Sequence, residues 1–414
     1  MTSIPYVPRL VDAPLEDLFS QLPALLVVGP RAAGKTTTAR RLARTVVQLD
    51  VPAQAAAFHA DADAALAAML EPVLLDEWQE VPELMGAVRR AVDQDSRPGR
   101  FLLTGSARAR RGAHAWSGIG RVINLRMYGL TLRETLGRGE LPPFLERLAG
   151  AALSGFPRPA DPPNLRGYVD LALRGGYPEP VLRLTGAARL AWLDTYVDQL
   201  VTRDAETLDG ARDPVLLRRY FEALCASTAG VVEDKTLYES AGISRMTAGA
   251  YERLLTDMFV FEAMPAWSTN RLSRLVKGSK RYMTDSSLVA AALRLDEEAV
   301  LRDGDLLGRL IDTFVVSQLR AEVETGAQRA RLYHLREKDG RHEIDVIAEV
   351  SGGDVIALEI KATAAPRSSD ARHLAWLRDR LGPRFLAGAV LHTGPLPFVL
   401  GERILALPVC SLWT

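Results

Sequence analysis

The sequence predicts a multidomain α/β chain, and three segments carry that expectation. Residues 24–46 pass from an apolar run through a glycine-rich loop into a helical pattern. Residues 212–285 read as helix, short helix, helix and two strands, and residues 331–381 as three strands followed by a helix. At 414 residues the chain has room for two or three domains of about 150 residues.

Composition narrows the class. The 51 basic and 51 acidic residues cancel, so no global field drives the chain onto nucleic acid or a membrane, and any such binding is local. Hydrophobic residues make up 48% and charged residues 25%, which excludes a disordered or collagen-like chain. Apolar runs such as ALLVV at 24–28 are far shorter than the roughly 20 residues of a membrane helix. Cys225 and Cys410 stand far apart without C-x-x-C spacing, so a zinc ribbon or disulfide framework is not expected and a reducing, cytoplasmic setting is. The start MTSIPYVPRL lacks the basic and apolar regions of a secretion signal. Six of the 51 basic residues are lysine (Lys35, Lys235, Lys277, Lys280, Lys338, Lys361). A lysine in this chain therefore marks a place that wants a compact ammonium rather than a planar guanidinium.

The first such place is the loop Gly29–Pro30–Arg31–Ala32–Ala33–Gly34–Lys35–Thr36, continued by Thr37. It follows the buried strand ALLVV, precedes the helical TARRLARTV, and matches G-x-x-x-x-G-K-[ST] at every fixed position. Loop amides at a helix start cradle phosphate oxygens, the lysine reaches the β- and γ-phosphates of ATP, and the Thr36 hydroxyl ligates Mg²⁺. A second apolar strand ending in acid should follow, and PVLLDEWQ at 72–79 supplies it. Asp76 takes the Mg²⁺ role and Glu77 the place of the carboxylate that polarises the attacking water. An apolar run ending in Asp-Glu also describes a strand closing on a surface charge pair; the loop is what assigns these acids to chemistry. The strand RFLLTGSA offers Thr104, or Ser106, as the hydroxyl at the γ-phosphate, although Thr-Gly-Ser is turn chemistry too. Arg121 is the candidate arginine finger, with Arg108, Arg110, Arg111 and Arg203 as alternatives; in trans, it implies a homo-oligomer.

Residues 137–167 are rich in Gly and Pro and read as a connector or loosely packed insertion. The helical pattern of 168–207 reads as a lid. PVLLRRYFEALCAST, KTLYESAG and SRMTAGAYERLLTDM then give the helix, short helix, turn and helix of a helix-turn-helix. Its last helix presents Arg245, Met246, Thr247 and Tyr251. MFVFEAMPAW and RYMTD form the wing, joined by a segment holding Arg271, Arg274, Lys277, Lys280 and Arg281 without an acid. Such a patch would lie along a DNA backbone; winged helices also dock proteins, and both partners remain open.

In the C-terminal third, Asp345 and Glu359 lie on two consecutive strands, and Lys361 shares a strand face with Glu359. Two carboxylates and an ammonium at one point suit metal-assisted phosphodiester hydrolysis, with Asp345 and Glu359 on the metal and Lys361 at the transition-state charge. This D-x(n)-E-x-K pattern, followed by the helix SSDARHLAWLRDRL, resembles the PD-(D/E)XK nuclease superfamily. Asp312 on the preceding helix is an additional acid, and His342 and Glu343 flank the site.

GPRAAGKT, VLLDEWQ, FLLTGS, GIGR, RGGYPEP, ISRMTAGAYERLLTDMFV, KRYMTDSSL, EIDVIAE and LEIKA follow one another as in a large bacterial and archaeal family of AAA-type ATPases, which the chain resembles along nearly its whole length. The resemblance implies ATP binding through Gly34, Lys35 and Thr36, Mg²⁺ on Asp76, a winged helix, and a restriction-endonuclease-like site at Asp345, Glu359 and Lys361. The helix that carries glutamates in that family reads LIDTFVVSQL here, with Asp312 and Gln318 in their place.

The expected organisation is a P-loop ATPase core at 1–140, linker and helical lid at 141–210, winged helix at 211–290 and nuclease-like domain at 300–414. The expected function is a Mg²⁺-dependent ATPase coupled to a DNA-binding, nuclease-like half. The alternatives are a nucleotide-gated protein-interaction switch with a dead nuclease-like docking domain, and a nuclease for which ATP is a structural ligand.

Overall fold

Apolar runs closed by turn residues become the strands of a parallel sheet: β1 (Ala24–Val28), β2 (Thr45–Gln48), β3 (Val73–Asp76), β4 (Phe101–Gly105) and β5 (Ile123–Arg126), in the order β2-β3-β4-β1-β5. This computed structural model describes residues 5–106, 120–204, 213–270, 274, 277–326, 329–337 and 341–414. Alternate residues of each strand face opposite ways. Leu25, Val27, Leu74 and Leu102 pack under the helix Asp12–Gln21, while Leu26, Leu75, Phe101 and Leu103 pack under the helices Pro52–Ala60 and Leu84–Gln94. Covered on both faces, the strands read as continuous apolar runs. Because β4 sits between β1 and β3, Thr104 falls between the glycine loop and Asp76.

The helix after the loop is shorter than its sequence suggested. It spans Lys35–Arg40, and Thr45, Val46 and Val47 leave it to pair with Val73, Leu74 and Leu75. These β-branched residues gain more on a pleated surface than in a helical turn.

Residues 137–167 are not a loose insertion. They include the helix Phe144–Ala149, and Phe144, Leu148 and Phe156 are buried. Arg147 donates to the Ser411 and Thr414 carbonyls, tying this segment to the end of the chain. The helices Leu165–Arg174, Pro178–Leu182 and Gly186–Gln199 follow.

The next elements keep the expected order. Helices Pro214–Ala226, Asp234–Ser240 and Arg245–Asp257 precede an antiparallel hairpin of β6 (Phe261–Met264) and β7 (Lys280–Met283). The last of the three helices starts where Ser244 accepts from the Thr247 amide. A 22-residue helix, Gly304–Thr325, then leads into β8 (Arg331–Arg336), β9 (Glu343–Glu349), β10 (Val355–Lys361), the helix Arg372–Leu381, β11 (Phe385–His392), β12 (Phe398–Gly401) and β13 (Ile404–Pro408). The sheet order is β12-β13-β11-β10-β9-β8. One hydrophobic cluster runs from Leu132 to Trp413 and joins the middle helices, the hairpin, the long helix and one face of this sheet. The helix Arg372–Leu381 covers the other face. Among the described residues no helix is long and apolar enough to cross a membrane.

Candidate active site

The glycine loop turns through two left-handed glycines. Gly29 has φ +156°, and a Cβ there would meet the Met127 carbonyl oxygen at 2.0 Å; Gly34 has φ +97°. This lets Lys35 start the helix and bury its chain, with Nζ 2.8 Å from the Pro30 carbonyl oxygen. Burial pushes its ammonium down to about 8, against the pull of Glu77 and Asp76. Arg31, Ala32 and Thr37 are exposed, and Ala33 is buried.

Thr36 donates to Asp76 Oδ1 at 2.7 Å, and Thr104 donates to the same oxygen. A carboxylate and a hydroxyl side by side at the loop's end are hard oxygen donors that suit Mg²⁺. Glu77 adopts the left-handed conformation, φ 54° and ψ 51°. Its carboxylate accepts from Ser106 Oγ at 2.9 Å and Gln79 Nε2 at 2.5 Å. Every loop residue, Asp76, Glu77 and Thr104 thus converge at the carboxyl end of the sheet.

Arg121 does not join them. It precedes β5, whose start pairs with the start of β1, so it lies at the opposite, amino-terminal end of the strands and binds Asp93 at 2.5 Å. Arg108, Arg110 and Arg111 lie outside the described residues, as does the side chain of Arg203.

Two residues that sequence reasoning missed grip the loop. Arg9, buried with its partner, donates Nη1 to the Ala33 carbonyl at 2.9 Å, Nη2 to those of Tyr128 and Gly129, and Nε to Glu134 at 3.0 Å. Tyr196 donates to the Arg31 carbonyl at 3.3 Å from the helix Gly186–Gln199, and its ring stacks on Trp192. Nothing local in the sequence marks either residue; the contacts span 24 and 165 positions.

The C-terminal cluster forms, with an unexpected member. The pairing of β9 and β10 runs from Glu349–Val355 to Val346–Leu358. Beyond it the Asp345 carboxylate takes over, accepting from the Ile360 amide at 2.9 Å. Lys280 reaches in from the hairpin, its Nζ 2.6 Å from Asp312 and 2.9 Å from Asp345. Tyr282 donates to the other Asp312 oxygen at 3.0 Å. Lys361 Nζ lies 3.3 Å from Glu359. Burial would lower the Lys280 ammonium, but Asp312 and Asp345 hold it well above the ordinary lysine value. Burial pushes Asp312 up to about 6 despite Lys280, and burial with the neighbouring Asp345 raises Glu359 well above the carboxylate range. Among the described residues no group of three or more His, Cys, Asp or Glu side chains is arranged to hold a metal ion. Where the sequence suggested a metal on Asp345 and Glu359, the Lys280 ammonium bridges Asp312 and Asp345. His342 and Glu343 lie outside the cluster, with His342 stacked on Trp376 and Glu343 paired in register with Arg336.

The hairpin's cations are likewise turned inward. Arg274 pairs with Glu349 at 2.6 Å, and Arg281 with Asp234 and Glu252. With Lys280 these three are corrected from phosphate contacts to internal ion pairs, because acids distant in sequence fold against them. Arg271 lies outside the described residues, Lys277 is half-buried and Arg245 is exposed. Tyr251 is buried against Tyr220 and is no base reader. Gln318 accepts from the Leu132 amide at 2.8 Å, which joins the long helix to the segment leaving the first sheet.

Three family models match the chain: AAA domain over residues 21–136, domain of unknown function DUF8612 over 165–299, and domain of unknown function DUF4143 over 307–412. Uncharacterized proteins of Mycobacterium tuberculosis and Mycobacterium bovis are each 28% identical over 411 residues, covering 98% of this chain and 84% of theirs. Among solved structures the chain is similar to the Walker-type ATPase of Pyrococcus abyssi, at 14% identity and a TM-score of 0.40, over 69% of this chain and 94% of that one. The AAA match contains the glycine loop, Asp76, Glu77 and Thr104, so the N-terminal part of this multidomain α/β chain is similar to an AAA-type P-loop domain.

Proposed function

We propose that the chain is a Mg²⁺-dependent ATPase that works as a nucleotide-gated interaction switch. The observation that carries the ATPase reading is the convergence of Lys35, Thr36, Asp76, Thr104 and Glu77 at one sheet end. Loop amides from Gly29 to Thr36 would hold the phosphates, and Lys35 would exchange the Pro30 carbonyl for β- and γ-phosphate oxygens. Mg²⁺, held by Thr36 and Asp76, would neutralise phosphate charge. Glu77, kept in place by Ser106 and Gln79, orients and polarises the water for in-line attack, with Thr104 beside it.

The element order supports reading residues 211–290 as a winged helix and 300–414 as a restriction-endonuclease-like fold. The inward pairing of Arg274, Lys280 and Arg281 favours a protein partner over DNA for this half. The loop's state has a physical route to it. Arg9 links the Ala33 carbonyl to Glu134, and the adjoining Arg133 pairs with Glu322 on the long helix.

The test is ATP turnover by the full chain with Mg²⁺, with and without single- and double-stranded DNA. The switch reading expects a low rate indifferent to DNA and no cleavage in Mg²⁺ or Mn²⁺. A rate that rises several-fold with DNA would replace it with the DNA-coupled reading.

A further inference from the structure

The glycine loop is held from outside its own sheet. Three of its carbonyls carry side-chain donors: Lys35 on Pro30, Tyr196 on Arg31 and Arg9 on Ala33. Between the last two lies Ala32 at φ 60°, a left-handed conformation that a residue with a Cβ keeps only where its surroundings impose it. A trans peptide is planar, with carbonyl and amide pointing opposite ways, so a donor on the Arg31 carbonyl also fixes where the Ala32 amide points. That amide is among those a loop of this kind offers to phosphate. Tyr196 lies beyond the AAA match, inside the domain of unknown function matched over 165–299.

Tyr196 is seated by its neighbours. Tyr177, fully buried, donates to its hydroxyl at 3.2 Å with ring centroids 4.7 Å apart, and Pro178 Cγ comes within 3.7 Å of where a Cβ on Gly34 would stand. Both belong to the RGGYPEP turn. One buried carboxylate fixes that turn: Asp285, just past β7, accepts from the Gly176 amide at 2.8 Å on Oδ2 and from the Ser287 amide and hydroxyl on Oδ1. Gly175 has φ +68°, and a Cβ there would collide with Asp285 and Ser287. An unbroken path of contacts thus runs from the end of the hairpin through Asp285, the Gly176–Tyr177 backbone and two tyrosines to the glycine loop.

We propose, resting on the ATPase reading above, that Tyr196 is a positioning residue for nucleotide binding. Seated by the RGGYPEP turn and Asp285, it sets the Ala32 amide for phosphate, so that the region beyond the AAA match controls how tightly the loop holds nucleotide. The coupling is reciprocal: a seated turn that favours nucleotide is itself favoured by nucleotide, by the same factor. A partner that displaces the hairpin end at Asp285 therefore loosens the nucleotide.

The test is Mg-ADP binding by calorimetry, with hydrogen exchange across residues 175–199, in the full chain as wild type, Tyr196→Phe and Asp285→Asn. ADP should slow exchange in the turn and in the helix Gly186–Gln199 of wild type. Tyr196→Phe keeps the ring on Trp192 and removes the hydroxyl. It should weaken ADP by roughly 3- to 10-fold and lose the slowing even at saturating ADP, which a merely structural tyrosine would not do. Asp285→Asn should act in the same direction without touching the loop. Either variant, folded and binding ADP as tightly as wild type, overturns the proposal. So does ADP binding to wild type that leaves exchange at 175–199 unchanged, and this arm decides the matter if neither variant folds. Wild type that binds neither ADP nor ATP overturns the ATPase reading and the proposal together, whereas the other two contrary results leave that reading standing.

Discussion

At the scale of single residues, the few lysines divide by what they face. Lys35 and Lys361 sit where their motifs put them, at the loop and beside Glu359. Lys280 was legible as a significant lysine but not as the partner of two buried aspartates. It belongs to a run of cations, and its acids lie 32 and 65 positions away. Glu77 was legible as the residue after Asp76; its tethers Gln79 and Ser106 give it one orientation. Replacing Glu77 by Gln should lower kcat by about 100-fold or more and change KM little, because it removes the base and keeps the shape. Steady-state kinetics checks this, and an unchanged kcat would move the base elsewhere. Arg9 had no sequence signal at all. Arg9→Ala leaves Glu134 buried without its charge partner and frees three carbonyls, so it should cost about 3 kcal/mol in denaturant unfolding and raise KM for ATP.

At the scale of elements, strands were easier to read than their neighbours. ALLVV, VLLD and FLLTG announce buried parallel strands because both their faces are covered. The helix of the glycine loop was overextended, since Thr45–Gln48 becomes a strand only through pairing with β3. The order of the three helices and the hairpin at 214–283 was legible from caps and glycines. Which way its cations point was not, because that depends on Asp234, Glu252 and Glu349 arriving from other elements. The hairpin therefore acts as a structural joint. Arg281→Ala should loosen it by about 1–2 kcal/mol in thermal or denaturant unfolding, and should leave the salt slope of any DNA binding unchanged. A slope reduced by about one would return Arg281 to the phosphate backbone.

At the scale of the whole molecule, Gly- and Pro-rich composition between 137 and 167 suggested a break, yet Phe144 and Phe156 pack into a core continuous to Trp413. The C-terminal sheet also buries two histidines, His334 on β8 and His392 on β11. Burial pushes His334 and His392 down to about 4, from an ordinary 6.5. Between these values the unfolded chain holds the proton and the folded chain does not. Stability is therefore full above about pH 6.5 and falls as pH drops towards 4, by at most about 1.4 kcal/mol per pH unit for each histidine. Denaturant midpoints across this window should fall with acid in wild type and less steeply in His334→Gln; equal slopes would contradict the assignment. The same contacts that close the core, Arg133 with Glu322 and Gln318 with Leu132, connect the segment leaving the first sheet to the C-terminal half. The proposed function rests on the glycine loop working on ATP. The measurement that bears on it most directly is ATP binding and Mg²⁺-dependent hydrolysis by the full wild-type chain beside Lys35→Ala. The account predicts binding and turnover in the first and loss of both in the second, whereas full affinity and rate in Lys35→Ala would contradict it.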